Sequence, residues 1–275
     1  MHATRQRGFT LIELIVTLVV ATIVMGFTAM FIGTPIQAYL AQTRRASLSD
    51  SAEAITRNIA NDIRIALPNS TRAESNGAFF ALEMLRADDV LRYRSDADDP
   101  DPVHALTIGT PDDQFSALGP ITQGFSFVAV QDASSADPYA FTTVMAPVSK
   151  VVANATTKET DITLSSPFTF TKGSPSHSVF LVSSPVTYIC DAASGTLTRY
   201  SNYPINASQS ARDSDAELLA EGATRSLIAT NVTACEVTRF PATQLHGDLV
   251  SLRIVLTDSG DTIPVFYQAR VGRQP

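Results

Sequence analysis

One carboxylate in this chain sits where carboxylates are costly. Glu13 closes the stretch Arg5-Gln-Arg-Gly-Phe-Thr-Leu-Ile-Glu13, and an apolar run from Leu14 to Ile32 follows at once. An ionised side chain in hydrocarbon costs roughly 2.5–3.5 kcal/mol on insertion scales and as a rule marks function. The chemistry open to such an acid is the attraction of a cation. A cut after Gly8 would supply one, the new α-amino group of Phe9, at the same membrane face. Within one chain the fit is poor, since residues 9 and 13 lie about 6 Å apart along a helix axis. Between subunits staggered along a filament, the amine of one can meet Glu13 of another. Pairing in a low dielectric offsets the desolvation of both.

Other reactive residue types form no array. The histidines His2, His104, His177 and His246 are scattered, and no H-E-x-x-H, G-x-S-x-G or P-loop pattern occurs. Ser176-His177-Ser178 places a base beside two hydroxyls, but neighbours on a turn rarely face one another, so a solvated loop is expected. Asp96, Asp98, Asp99 and Asp101 are the weak metal candidates; they lack the sixth-position Gly and closing Glu of an EF-hand, which favours a hydrated loop over calcium. No cofactor and no enzymatic activity are expected. Cys190 and Cys235 fit no zinc spacing. In an oxidising periplasm they pair, closing a loop of about 46 residues worth roughly 4 kcal/mol in the chain-entropy account; buried free thiols are the alternative.

These residues need elements to position them. With 44% hydrophobic and 17% charged residues in 275, the chain can bury a sizeable core. Its net charge is −7, and loss of Arg5 and Arg7 would leave 18 basic against 27 acidic residues. That balance argues against general nucleic-acid binding. Basic residues flank the apolar run equally, so the positive-inside count ties. The short basic start, the cysteines and the long polar remainder favour a cytoplasmic N-terminus and a periplasmic C-terminal part. No A-x-A-type cleavage site ends the apolar run.

From Phe9 to Leu67 the pattern predicts one long helix, bending if anywhere at Gly26 and Pro35. In its second half Ile55, Ile59, Ile63 and Leu67 recur every four residues, an apolar stripe seeking a sheet, while Glu53, Arg57, Asp62 and Arg64 face elsewhere. Pro68-Asn-Ser-Thr ends it. Beyond lies a β-rich region. Phe79–Arg86 and Val90–Arg94 are ambiguous between strand and helix; Phe125–Val130 and Phe141–Val144 read as strands around a turn at 132–138. Period-two alternation marks Asp161–Ser165 and Pro167–Thr171. Val179–Cys190 with Thr196–Tyr200 reads as a hairpin, Ile228–Phe240 as one strand, and Leu249–Leu256 with Thr262–Val271 as the clearest hairpin, turning at 258–261. A short helix is expected near Ala216–Ala220.

Gly8-Phe9-Thr10-Leu11-Ile12-Glu13, after a basic residue and before about 20 apolar ones, resembles the processing motif of type IV prepilins and type II secretion pseudopilins. The resemblance implies an α+β pilin-like fold, a long helix packed on an antiparallel sheet. It implies a leader at 1–8, a membrane-spanning or filament-core helix at 9–33, its amphipathic continuation at 34–67 and a periplasmic head at 68–275. Prepilin peptidase would cut between Gly8 and Phe9 and N-methylate Phe9, and Glu13 would register the subunit in assembly. Further partners would be major and minor pilins and the inner-membrane assembly platform. The location would be the inner membrane, single-pass, and then the extracellular pilus.

Further along, Val186–Cys190, Gly195–Tyr200, Asn231–Cys235 and Leu249–Leu256 are similar to heads of O-type minor pilins of the mannose-sensitive haemagglutinin (MSHA) pilus. They are also similar to the larger J-type pseudopilins. This resemblance implies a Cys190–Cys235 bridge from the first hairpin to the strand after the polar loop. Initiation of pilus assembly or a place at the tip would then be the function, with a secretion pseudopilin or a tip adhesin as alternatives.

Overall fold

A computed structural model describes residues 8–95, 105–121, 124–131, 137–241 and 248–271. The chain divides into two compact units, Met1–Leu48 and Ser49–Pro275. Helix α1, Leu11–Ile65, contributes to both and runs unbroken through Pro35. The helix stops two residues before the expected end. Ala66 instead bridges to Arg86, and the Leu67 N–H donates to the Leu85 carbonyl at 2.8 Å. The chain has joined the sheet before Pro68 is reached.

In the first unit the polar side chains of the apolar stretch are satisfied by the helix itself. The hydroxyls of Thr17, Thr22 and Thr28 donate to carbonyls one turn back, at 2.8–3.0 Å. That is how hydroxyls are tolerated where no water is present.

The second unit holds two antiparallel sheets. The larger has nine strands in the order β1-β2-β3-β6-β5-β4-β7-β8-β9, with β2 also pairing β7. Its strands are β1 (Arg72–Ser75), β2 (Phe79–Tyr93), β3 (Asp112–Leu118), β4 (Phe127–Ala129), β5 (Met145–Asn154), β6 (Glu159–Phe168), β7 (Ser178–Asp191), β8 (Thr196–Ser201) and β9 (Thr224–Ala229). The smaller has β10 (Val232–Phe240), β11 (Leu249–Asp258) and β12 (Asp261–Arg270) in sequence order. A short helix α2, Asp215–Ala220, is capped by the Ser214 hydroxyl, which accepts from the Glu217 N–H. Ile55, Ile59 and Ile63 of α1 are buried, as are Leu252 and Ile254 of β11. This long helix with a large antiparallel sheet is the α+β, pilin-like architecture.

Several local expectations are corrected. The two runs at 79–94 form the single strand β2, because register shifts on either side of Ala87 absorb Arg86 and Asp88. Asp88 is then held by Arg86 at 2.5 Å and by the Ser183 hydroxyl at 2.7 Å. Phe141–Val144 is not a strand. A 3₁₀ turn at Pro138–Ala140 ends on Phe141 in the left-handed region, and β5 starts only at Met145. The first alternating run, 161–165, lies in β6, which continues only to Phe168, so most of the second run, 167–171, falls outside the strand. Ile228–Phe240 breaks at Asn231, φ 62°, where the chain leaves one sheet for the other. The turn at 258–261 matches the expected hairpin, with Ser259 and Gly260 both at positive φ.

Candidate assembly site

Thr10 builds the N-terminal site. It takes the N-cap place of α1: its hydroxyl accepts from the Glu13 N–H at 3.4 Å. In return its own N–H and hydroxyl donate to Glu13 Oε2 at 3.5 and 3.4 Å. This is a reciprocal capping box, Thr-x-x-Glu, and it satisfies donors that a helix start otherwise leaves open. Glu13 also lies in the first turn, where the helix dipole favours an anion. The pattern Thr10-Leu-Ile-Glu13 carries this signal in the sequence.

The box changes how Glu13 is understood. The acid is held at the helix start by its own chain and is not left bare in the apolar run. Breaking the Gly8–Phe9 bond would leave the box intact, because the Thr10 N–H remains an amide. Phe9 is 74% exposed, and a Cβ placed on Gly8 meets nothing within 4 Å. The bond between them is open to another protein, and among the described residues Gly8 serves no packing need. After them comes Leu11–Thr28, 18 residues of mean hydropathy 2.3 with none buried within the chain. That length is about what the hydrocarbon core of a bilayer requires.

Other sequence candidates fall elsewhere. Cys190 and Cys235 are bonded, with Cα atoms 6.0 Å apart and both residues buried. Their bridge joins β7 of the large sheet to β10 of the small one. The hydroxyls of Ser174, Ser176 and Ser178 bond one another at 3.3 and 2.8 Å, and the His177 ring lies 5.6 Å from that of Tyr93. Asp96, Asp98, Asp99 and Asp101 lie outside the described residues, as do His2, His104 and His246. Among the described residues no group of three or more His, Cys, Asp or Glu could hold a metal.

Sequence reasoning missed buried polar clusters in the head, among them those around Asp62 and Glu83. Asp62 of α1, expected to face away from the sheet, is buried instead. It accepts from Arg199 Nε at 2.6 Å and Nη2 at 3.1 Å, and from the Tyr188 hydroxyl at 2.6 Å. Burial, with the Asp62 charge beside it, pushes the Tyr188 phenol far above its ordinary range. Glu83 is fully enclosed; it pairs with Arg72 at 2.8 Å, and Arg72 stacks over the Tyr139 ring at 3.6 Å. Arg72 also donates to the Asn206 and Ala207 carbonyls at 2.7 and 2.8 Å. Burial raises the Glu83 carboxyl above its ordinary value, against the opposing pull of Arg72. Neither cluster could be read from spacing, because its members lie more than a hundred residues apart or on strands whose register was unknown.

The family model for the prokaryotic N-terminal methylation motif matches residues 3–29. The N-terminus thus carries the methylation motif, which supports a type IV pilin-like precursor. No curated protein and no solved structure matches the chain. For a pilin-like chain the motif implies processing by prepilin peptidase and assembly with other pilins, and the Leu11–Thr28 helix suits single-pass anchoring in the inner membrane.

Proposed function

We propose that this chain is a minor type IV pilin that initiates pilus assembly or stands at the pilus tip, without catalytic activity of its own. The observation that carries the reading is Gly8-Phe9 at an open bond, directly before a Thr10–Glu13 box that starts an uncovered apolar helix. Cleavage gives Phe9 a positive amine, and Glu13 of an adjoining subunit is the anion that answers it. The head is bulky for a repeating shaft and tolerable where lateral crowding is relieved. Its residues 186–190, 195–200, 231–235 and 249–256 resemble heads of MSHA-type minor pilins, the reading taken here, and a J-type secretion pseudopilin is the alternative that loss of protein secretion in a deletion would favour. The head faces the periplasm until assembly.

The deciding measurement is the mass of the mature N-terminal peptide, expected to begin at methylated Phe9. A chain isolated from envelopes with Met1 intact, or starting elsewhere, overturns the reading. Glu13→Ala should then still be cut but should be depleted from sheared filaments. Wild-type amounts there would remove Glu13 from assembly.

A further inference from the structure

An asparagine side chain lies within reach of the main chain that follows it. The nitrogen of the next residue can close a five-membered ring on the asparagine Cγ, and ammonia leaves. In a folded protein three things hold this reaction back: a side chain on the next residue, a hydrogen bond made by its N–H, and a hydrogen bond made by the leaving amide. Most asparagines of this chain are guarded in these ways. The Ser70 N–H after Asn69 donates to the Leu67 carbonyl at 3.2 Å, and the Val232 N–H after Asn231 donates to the Gly195 carbonyl at 3.1 Å. Asn58 Nδ2 donates to the Ala54 carbonyl at 2.8 Å.

Asn76 has none of these guards. It is followed by Gly77, whereas every other asparagine precedes a residue with a side chain. The step lies in the turn between β1 and β2, beyond the last ladder pair Ser75↔Phe80. The Asn76 N–H donates to the Phe79 carbonyl at 3.1 Å, and Gly77 has φ 88°, at the place a two-residue hairpin turn gives to glycine. Asn76, Gly77 and Ala78 are exposed in succession, and a Cβ on Gly77 would meet nothing within 4 Å. Asn76 Oδ1 accepts from the Ala78 N–H at 3.4 Å, which folds the side chain over the Gly77 amide between them. Neither the Gly77 N–H nor Asn76 Nδ2 has a hydrogen-bond partner among the described residues. Nucleophile and leaving group are both free.

We propose that Asn76–Gly77 is a self-modification site that converts to aspartyl and isoaspartyl forms in the folded chain, and that the isoaspartyl form loosens β1. The Gly77 amide gives its proton to solvent, and its nitrogen bonds to Asn76 Cγ. The Cγ–Nδ2 bond breaks, and the nitrogen departs as ammonia with a proton taken from water. Water then opens the succinimide. Cleavage between Cγ and the Gly77 nitrogen gives an ordinary aspartate. Cleavage on the other side of that nitrogen leaves the main chain running through Cγ, one carbon longer. The balance is one water in and one ammonia out, with no other reactant. Strand β1 is four residues long and ends the large sheet, so an added main-chain carbon at its turn misaligns Ser75↔Phe80 first. The new carboxylate also stands two residues from Glu74. This chemistry goes beyond the pilin reading and does not rest on it.

The test incubates the detergent-solubilised full-length chain, native and urea-unfolded, in warm, mildly alkaline buffer and follows the peptide carrying residue 76 by mass spectrometry. The expected result is conversion in the native chain to two products of equal mass in which OH has replaced NH2, one of them a substrate for an isoaspartyl methyltransferase. An Asn76 that stays an amide in the native chain while it converts in urea overturns the proposal. Asn69 and Asn231 should remain amides in the native chain over the same period, and conversion there at the Asn76 rate overturns it as well. Gly77→Ala should slow the conversion several-fold with the Cys190–Cys235 bond still formed; an unchanged rate overturns the route through the Gly77 nitrogen. Should that variant misfold, Asn76→Gln serves instead, since its longer side chain closes a larger ring more slowly, and equal product at 76 is the overturning result. Hydrogen exchange at residues 72–75 should quicken in the aged wild type and not in aged Asn76→Gln. Equal exchange removes the loosening of β1.

Discussion

Glu13 and Asp62 are carboxylates of the same helix kept in different surroundings. Glu13 is exposed and is held by Thr10 three residues away, within its own first turn. Asp62 is enclosed and is held by Arg199 and Tyr188, more than a hundred residues on. The same contrast runs through their apolar neighbours. Val16, Val20 and Ile23 are about half exposed, whereas Ile55, Ile59 and Ile63 are buried against the head. One helix thus has a stretch whose needs are met inside the chain and a stretch whose needs are not. The unmet stretch requires lipid or other subunits, which is the physical basis of the assembly role proposed above.

The sharpest way to break this comparison is to remove each acid. Asp62→Ala leaves the mostly buried Arg199 guanidinium without its anion and should cost about 4 kcal/mol of head stability, measured by denaturant unfolding. Glu13→Ala should leave that transition where it is. Equal effects would mean that the two acids are not in different surroundings after all. Next come the apolar neighbours: Ile63→Ala opens a cavity and should cost about 3 kcal/mol, while Val20→Ala should not move the head transition.

The smallest effect concerns pH. Burial raises the Glu83 carboxyl above the unfolded value of 4.5, so the folded head binds more protons than the unfolded chain in the window above 4.5. This group's contribution therefore becomes more favourable as pH falls through that window and less favourable as pH rises. Stability of wild type relative to Glu83→Gln should decline from pH 5 toward neutral. A flat difference would show that Arg72 fully offsets the burial.

Much of this was legible from local pattern. The Ile55–Ile59–Ile63 stripe gives the packed face, and the 258–261 turn fixes the last hairpin through residues that tolerate positive φ. Residues that act across long separations were not legible. Asp62 looked like a solvent-facing acid because nothing near it in sequence signals Arg199. Phe141–Val144 looked like a strand because the 3₁₀ turn that displaces it is set by the Asp137 side chain accepting from the Tyr139 N–H. Strand β9 was not legible because its residues Thr224–Leu227 precede the apparently continuous strand 228–240, which Asn231 divides between two sheets.

The sequence by itself determined the processing motif, the helix cap Thr10–Glu13 and the uncovered apolar run. Each depends on spacing within a few residues, which covalent geometry and helix pitch translate directly into position. Only the tertiary structure decided where Asp62 and Glu83 find their cations and how the strands are shared between two sheets. Those outcomes depend on strand order and register, and distant segments settle these together by sharing one core.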